Sequence, residues 1–369
     1  MNVLIVLNNL RVANGVATTI MNQYDALVEQ GYKVDFMQFL RFESPYVERI
    51  EKNGGKIILV QKDHRDLHQM IQVLKNTRYD IVHINQMNAQ TVKLAAIAHF
   101  FGVRCVIVHS HNTKIPANWK RTVLEAMCNL SYRLFADQRL ACSESAGRDA
   151  FGKQPFLVLK NAIDVSKFRF NADQRNRIRG ELGISSDTFV VGTVCRYARQ
   201  KSPIFMIDIM NEVIKKRPGS LFLWVGSAPR DDDPIYLQMK QRVKELHLEN
   251  AMCWVGSKTD VHHWYSAMDV FMMPSLWEGL GITFVEAQAN SLPTLASDVV
   301  PRDTQITPLI SYHSLSASPA VWADAILKYD VRTEVSGRDY SQQFLEAGYD
   351  LKTACSDLAK IYRHCLDRQ

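Results

Sequence analysis

The segment from Glu278 to Glu286 places two carboxylates around a glycine-rich turn. Gly279 and Gly281 permit a tight turn after a predicted strand, and a helix is predicted to start near Ile282. Backbone N–H groups at such a helix start carry partial positive charge and can hold a diphosphate. The carboxylates could then accept from sugar and ribose hydroxyls. The alternative is a plain βα turn in which Glu286 only complements the helix dipole. The predicted ligand-contacting residues of the segment are Glu278, Gly279, Leu280, Gly281, Ile282, Thr283 and Glu286.

Two cations, Arg196 and Lys201, follow the predicted strand 189–195 and stand five residues apart. Fixed positive charges stabilise a bound diphosphate and the negative charge that develops when it departs. Arg199 lies between them, and we interpret it as a solvated loop cation.

Two histidines, His109 and His111, end the predicted strand 104–110. Alternation along a strand puts their side chains on one face. A strand histidine is most often a hydrogen-bonded core residue, and an i, i+2 pair also suggests a metal site. Because no carboxylate or further histidine lies at suitable spacing, no metal site is predicted.

Asn14 and Gly15 open the first predicted helix. Gly15 has no Cβ and would let the backbone approach a phosphate or an acceptor closely. The GxGxxG dinucleotide fingerprint is absent from this turn, which weighs against a nicotinamide oxidoreductase.

Apolar, β-branched runs alternate with helical patterns, and this alternation predicts parallel sheets. The series runs once through the first half of the chain and then starts again, which predicts two doubly wound domains. The predicted strands are 2–7, 32–39, 56–60, 80–85, 104–110, 138–142, 156–161, 189–195, 220–226, 251–256, 270–275 and 293–298.

Residues 161–187 are predicted to form a polar connector with one short amphipathic helix and an arginine cluster, Arg175, Arg177 and Arg179. The stretch from about Tyr340 onward has a helical pattern. Residues 119–135 form a basic amphipathic pattern that suits either a membrane surface or a core-facing helix.

The 369 residues are 47% hydrophobic and 22% charged, a composition that excludes disordered and collagen-like chains. Residues 1–188 carry 25 Lys and Arg against 17 Asp and Glu, whereas residues 189–369 carry 19 against 21. The basic first half could face an anionic membrane or a phosphate-bearing substrate, and an ordinary solvated surface is the alternative. No basic run is interleaved with aromatic residues, so nucleic acid is not a predicted partner.

No apolar stretch is long enough to span a membrane, and the first residues are a short apolar run without the basic lead or the cleavage site expected of a signal peptide. The seven cysteines are scattered and never form a CxxC pair. They predict buried thiols in a reducing compartment, without disulfides or a zinc site. We therefore expect a cytoplasmic protein that could lie peripherally on the inner face of the cell membrane.

The segment 274–289 resembles the donor-binding signature of the retaining family 4 glycosyltransferases, in which two glutamates separated by seven residues bracket a glycine-rich turn. The family's arginine and lysine, five apart, match Arg196 and Lys201. The glycine usual after that lysine is Ser202 here, and one of the two glycines usual in the first loop is Asn14. Asn tolerates the left-handed conformation that glycine would adopt.

This resemblance covers nearly the whole chain and implies the GT-B fold, an α/β architecture of two Rossmann-like, doubly wound parallel-sheet domains facing a central cleft. Residues 1–164 would form the acceptor side, and 165–344 the nucleotide-sugar donor side. The C-terminal helix, 345–369, would pack back on the first domain.

The resemblance also implies the roles of the site residues. Arg196, Lys201 and Glu278 would be catalytic, together with His111, which would contact the donor hexose near the reacting carbon. His109 would be its neighbour or an acceptor contact. Gly15 and Asn14 would lie in the loop that reaches toward the donor.

The implied activity is the transfer of a hexose, with retention and without a metal or other cofactor, from a nucleotide diphosphate sugar, with a UDP-hexose expected. The expected acceptor is a saccharide or a polyprenyl-diphosphate-linked saccharide of surface polysaccharide synthesis. The alternatives are a sugar-nucleotide epimerase of the same architecture and a non-catalytic nucleotide-sugar-binding component of a polysaccharide assembly complex.

Overall fold

The computed structural model divides the chain into two compact units. Unit 1 consists of Met1–Ile163 and Gly348–Gln369, and unit 2 of Asp164–Ala347. The residues that the structure describes are 1–12, 14–40, 43–61, 66–85, 89–111, 130–228, 230–332 and 338–367.

Unit 1 is built on a parallel sheet of β1 to β7, in the order β3-β2-β1-β4-β5-β6-β7. The order turns back at β1 and β4, as in a doubly wound fold. The central strands are buried and rich in Val and Ile, because helices cover both faces of such a sheet. In chain order the strands are Asn2–Leu7, Lys33–Gln38, Ile57–Leu59, Ile81–Ile84, Cys105–Ser110, Gln138–Ala141 and Leu157–Val158.

Serine side chains cap two helices of unit 1. Ser44 caps α2 by accepting from the Tyr46 N–H, and Ser143 caps α5 by accepting from the Ala146 N–H. Residues 130–135 are also helical, whereas residues 119–129 of the predicted amphipathic helix lie outside the described residues. The helices are α1 Gly15–Glu29, α2 Pro45–Lys52, α3 Asp66–Asn76, α4 Ala89–Phe100 and α5 Glu144–Phe151.

The last helix, Leu351–Asp367, belongs to unit 1 and is numbered α14 below. Its side chains Leu358, Tyr362 and Leu366 join the core against β1, β5 and α1. The predicted continuous helix from Tyr340 is wrong, because the chain turns at Gly348 with a φ of 74°.

A disulfide joins Cys105 of β5 to Cys365 of α14, with the Cα atoms 5.9 Å apart. The prediction that every cysteine is a thiol is therefore wrong. The odd number of cysteines and the lack of a CxxC pair carry no information on this disulfide. Its two cysteines are 260 residues apart, and only the folded chain brings them together. Cys142, Cys195, Cys253 and Cys355 do not take part in a disulfide.

Unit 2 is built on a second parallel sheet, in the order β10-β9-β8-β11-β12-β13. Strand β13 was not predicted, because Ile310–His313 contains one aliphatic residue and no clear alternation. Its strands are β8 Val190–Val194, β9 Leu221–Val225, β10 Met252–Trp254, β11 Val270–Met273, β12 Thr294–Ser297 and β13 Ile310–His313.

The helices of unit 2 alternate with these strands and add short helices at both ends of the unit. They are α6 Val165–Phe168, α7 Ala172–Glu181, α8 Pro203–Lys216, α9 Pro234–Glu245, α10 Val261–Trp264, α11 Ile282–Ala289, α12 Pro319–Ile326 and α13 Ser341–Glu346. No helix of the described ranges has the length and apolar character needed to cross a membrane.

Of the predicted polar connector 161–187, residues 164–187 are an integral part of unit 2, because two of their arginines are buried on Asp269. Arg175 donates to Asp269 Oδ1 at 2.6 Å, and Arg179 donates to Oδ2 at 2.9 Å. Backbone N–H groups of Val190 and Arg332 also donate to this carboxylate. Asp269 is wholly buried, so a single charge holds α7, β8 and the residues before β11 together.

We expect Asp269→Asn to lower the free energy of unfolding by about 3 kcal/mol or more, because two buried guanidinium groups would lose their counter-charge. Urea denaturation checks this. The control is Asp324→Asn, which breaks the surface pair with Lys216 and should cost within about 1 kcal/mol. Equal effects of the two substitutions would contradict the role given to Asp269.

Candidate functional site

One of the two predicted cations, Lys201, meets the first glutamate, Glu278, in the loops that follow the carboxyl ends of β8 and β11, which are neighbours in the sheet. Lys201 Nζ lies 2.5 Å from Glu278 Oε1, and both side chains are largely buried. A pair this close and this poorly hydrated fixes both groups in place.

Gln200 ties the two loops together beside this pair. Its Nε2 donates to the Trp277 carbonyl at 2.8 Å and lies 3.4 Å from Glu278 Oε2. Its backbone carbonyl accepts from the Leu276 N–H at 2.8 Å. The position of Glu278 is thus set by side-chain and backbone contacts from both loops.

The glycine-rich turn ends at Gly281, which has a φ of 81° and occupies the N-cap of α11. A Cβ at Gly281 would lie 2.6 Å from the Phe284 ring. Helix α11 begins at Ile282, where the sequence predicted it. The first N–H groups of α11, including those of Ile282 and Thr283, have no acceptor within the helix, so they can donate to an anion.

Glu286, in the second turn of α11, points its carboxylate into the protein interior. Its Oε2 accepts from the hydroxyl of Tyr265 at 2.6 Å. Burial raises the pKa of Glu286 to about 7, although the Tyr265 hydrogen bond acts to lower it. Hydrogen bonds donated by ligand hydroxyls would stabilise the ionised form of such a carboxylate.

Arg196 is exposed and forms no ion pair with any residue that the structure describes, and Arg199 is also exposed. Between Lys201 and α8, Ser202 adopts the left-handed conformation, with φ 51° and ψ 53°. Its hydroxyl is buried without a partner in the described ranges. Ser202 therefore takes the backbone conformation expected of the glycine that the family has here.

The first loop behaves differently from the prediction. Asn14 has an extended backbone, with φ −98° and ψ 109°, and its side chain caps α1 by accepting from the Val16 N–H. The left-handed conformation considered for Asn14 is therefore wrong. Gly15 is the exposed first residue of α1.

His109 and His111 lie on one face of the strand end, as alternation predicts, with ring centroids 4.0 Å apart. A third histidine, His83 of β4, stacks on His109 at 5.5 Å. His83 Nδ1 lies 2.8 Å from the Tyr362 hydroxyl, and His111 Nε2 lies 2.9 Å from Asn85 Oδ1. Sequence spacing missed His83, but β4 and β5 are adjacent parallel strands, and this adjacency was the available signal.

The three imidazoles are buried in one cluster, which lowers their pKa values. The pKa of His83 falls to about 3, that of His111 to about 4, and that of His109 well below its usual range. Asn161 offsets part of this effect at His111. Both His109 nitrogens lack a hydrogen-bond partner in the described ranges. No group of three or more His, Cys, Asp or Glu side chains in those ranges has the arrangement of a metal site.

Sequence reasoning missed Tyr265 and Gln200 as well. Tyr265 is in a short 3-10 turn before β11, where neither spacing nor residue type marks it. Gln200 is uncharged and lies next to the conspicuous Lys201.

Two protein families match the chain in succession. The family model described as Glycosyltransferase Family 4 matches residues 13–167, and the model described as Glycosyl transferases group 1 matches residues 174–329.

Curated relatives are similar over long stretches. A Bacillus subtilis protein named as the glycosyltransferase EpsF is 27% identical over 94% of this chain and 93% of its own length. An Escherichia coli UDP-Gal:alpha-D-GlcNAc-diphosphoundecaprenol alpha-1,3-galactosyltransferase is 27% identical over 64% of this chain and 62% of its own length.

Among solved structures, Anabaena HepE in complex with UDP and glucose has a TM-score of 0.82 and 17% identity. The match covers 98% of this chain and 99% of HepE. At this identity the likeness shows the fold, which is GT-B with two Rossmann-like domains.

We expect Ser202→Gly to raise the free energy of unfolding by about 1 kcal/mol, because it relieves a left-handed non-glycine residue and removes a buried hydroxyl without a partner in the described ranges. Thermal and urea unfolding check this. The matched control is Ser291→Gly. Ser291 is also left-handed, with φ 56°, but its hydroxyl donates to the Arg338 carbonyl. Ser291→Gly should therefore gain less or lose stability, and equal gains would contradict the explanation.

Proposed function

Because the chain belongs to the glycosyltransferases, with a family 4 domain followed by a group 1 domain, we propose that it transfers a hexose from a UDP-sugar to a lipid-linked saccharide. The reaction proceeds with retention of anomeric configuration and without a metal ion. The observation that carries this proposal is the meeting of Lys201, Glu278 and the N-terminus of α11 at neighbouring strand ends.

The donor diphosphate binds at the start of α11, where Gly281, Ile282 and Thr283 offer backbone N–H groups. Lys201 is paired with Glu278 at 2.5 Å, which reduces but does not cancel its contribution to the diphosphate. Arg196 is exposed and has no ion pair in the described ranges, so it supplies positive charge to the diphosphate. Glu286 accepts from the ribose hydroxyls, and Glu278 from the hexose.

In the reaction, the bond between the hexose anomeric carbon and the diphosphate oxygen breaks through an oxocarbenium-like state. The electron pair leaves with the diphosphate, which Arg196, Lys201 and the α11 start stabilise. An acceptor hydroxyl attacks from the same face, forms the new glycosidic bond and passes its proton to the departing diphosphate oxygen. The roles of His111, His109, Asn14 and Gly15 toward donor or acceptor remain predictions from the family resemblance.

UDP and a lipid-linked acceptor are favoured by the relatives' chemistry. The Escherichia coli relative is named for UDP-galactose and a diphosphoundecaprenol-linked acceptor, and the HepE complexes contain UDP or UDP-glucose. We extend this chemistry to the chain as a UDP-hexose donor, a polyprenyl-diphosphate-linked saccharide acceptor and a place in surface polysaccharide synthesis on the cytoplasmic side of the membrane.

We expect UDP to bind with a heat signal in calorimetry, and one of UDP-glucose, UDP-galactose and UDP-N-acetylglucosamine to raise the melting temperature most. Arg196→Met should weaken UDP binding about tenfold, because it removes a charge-assisted contact. Arg199→Met, which removes an equally exposed cation three residues away, should leave binding unchanged.

Slow release of UDP without acceptor would support transfer chemistry. Epimerised UDP-sugar without acceptor would identify an epimerase, and binding without turnover in the presence of lipid-linked acceptors would identify a non-catalytic binder. If UDP-sugars neither bind nor turn over, the proposed function fails.

Peripheral membrane contact would bring a lipid-linked acceptor within reach, and unit 1 offers a suitable surface. Phe100 and Leu134 are 78% and 62% exposed, and Phe100 lies 5.7 Å from Phe135 between ring centroids. Arg133 is exposed beside Leu134. Unit 1 carries 24 Lys and Arg against 16 Asp and Glu, a net charge of +8. We call Phe100, Leu134 and Phe135 the aromatic patch.

We expect the protein to sediment with phosphatidylcholine–phosphatidylglycerol vesicles and not with phosphatidylcholine alone, since both apolar insertion and positive charge contribute. Phe100→Ser combined with Leu134→Ser should weaken this binding about tenfold or more. Leu237→Ser, at an exposed leucine of unit 2, is the control. Equal binding by both variants would exclude the aromatic patch as the membrane contact.

A further inference from the structure

Glu286 has a carboxylate with unused capacity to accept hydrogen bonds. The residue is 4% exposed, and its side chain makes one hydrogen bond, to Tyr265, within the described ranges. An ionised carboxylate offers about four acceptor positions. Burying this charge with a single neutral donor is unfavourable, so the carboxylate is poised to take further donors from a ligand.

Tyr265 is held rigidly where it makes this contact. It is wholly buried, and its ring packs against Phe168 and Phe271 at centroid distances of 6.0 and 5.9 Å. The phenol has one proton to donate. Glu286 Oε2 accepts this hydrogen bond at 2.6 Å, and the Thr283 carbonyl is farther away at 3.5 Å.

We propose that Tyr265 is a positioning residue for the donor, because its hydroxyl fixes Glu286 Oε2 and leaves Oε1 to accept from the two ribose hydroxyls. This inference rests on the proposed function, in which Glu286 binds the ribose. Tyr265 itself does not contact the donor. It acts by holding the carboxylate in one orientation and in its ionised form.

The ionisation of Glu286 makes this role measurable through the pH dependence of UDP binding. A protonated Glu286 has lost part of its acceptor capacity, so UDP affinity falls as the pH drops through about 7. The Tyr265 hydrogen bond favours the carboxylate and lowers the pKa. Removing that hydroxyl therefore raises the pKa of Glu286 and moves the midpoint of UDP binding to higher pH.

The titratable groups around Glu286 do not account for this pH dependence of UDP affinity. Cys195, at the end of β8, acts on Tyr265, and burial raises the pKa of its thiol to about 11, so it stays neutral. Glu278 and Lys201, on the neighbouring loops, are paired with each other. Within the described residues, Tyr265 is the group whose hydrogen bond changes the pKa of Glu286.

The test is calorimetric titration of the full chain with UDP and with 2′,3′-dideoxy-UDP on both sides of pH 7. Wild-type protein should prefer UDP, and the preference should shrink at low pH. Tyr265→Phe should weaken UDP binding about tenfold at neutral pH, narrow the preference over dideoxy-UDP and shift the midpoint upward. If Tyr265 had only a structural role, Tyr265→Phe would weaken the binding of UDP and of dideoxy-UDP equally.

The control variant is Tyr312→Phe. Tyr312 is a half-buried tyrosine of unit 2, with its hydroxyl 2.9 Å from Thr304 Oγ1. This substitution should leave the preference and the midpoint unchanged. Circular dichroism reports whether each variant is folded.

If Tyr265→Phe does not fold, 3-fluorotyrosine at position 265 gives the opposite perturbation with nearly the same shape. Its more acidic hydroxyl strengthens the hydrogen bond and should move the midpoint to lower pH. An unchanged midpoint and an unchanged ligand preference in either protein would overturn this inference alone. Failure of wild-type protein to bind UDP would overturn the proposed function as well.

Discussion

The candidate site of unit 2 depends on one constraint, which is that neighbouring parallel strands end at the same edge of their sheet. Strands β8 and β11 are paired in the register Val270 to Val191, so the loops that follow them must meet. Lys201 and Glu278, 77 residues apart, form an ion pair for this reason. The start of α11 follows Glu278 in the same loop, and its first N–H groups have no acceptor within the helix. Burial of Asp269 under two arginines secures the opposite ends of these strands.

The parts of the fold with a periodic signal were predictable. The order of strands and helices, the start of α11 at Ile282 and the shared face of His109 and His111 follow from local pattern, because helix and strand periods are properties of neighbouring residues. The family resemblance, confirmed by the two matching domains, added the fold. Strand β13 shows the limit, since a short strand with one aliphatic residue takes its conformation from pairing with β12.

What the sequence did not predict is set by contacts between distant residues. The ion pairs of Asp269, the bond from Tyr265 to Glu286, the third histidine, His83, and the disulfide each join segments far apart in the chain. Such contacts leave no local spacing to read. The backbone conformations of Ser202 and Asn14 were not predictable from residue type either. Both replace a family glycine, yet only Ser202 adopts the left-handed backbone, because Asn14 is extended and its side chain accepts from the Val16 N–H at the start of α1.

The discontinuity of unit 1 has a consequence for synthesis on the ribosome. Unit 2 is one uninterrupted segment and can fold as soon as it has emerged. Unit 1 cannot be completed until α14 follows, because Tyr362 and Cys365 fill its core against His83 and Cys105. The amino-terminal sheet must therefore persist as an incomplete domain while all of unit 2 is translated. This reverses the usual vectorial order, in which the amino-terminal domain is finished first.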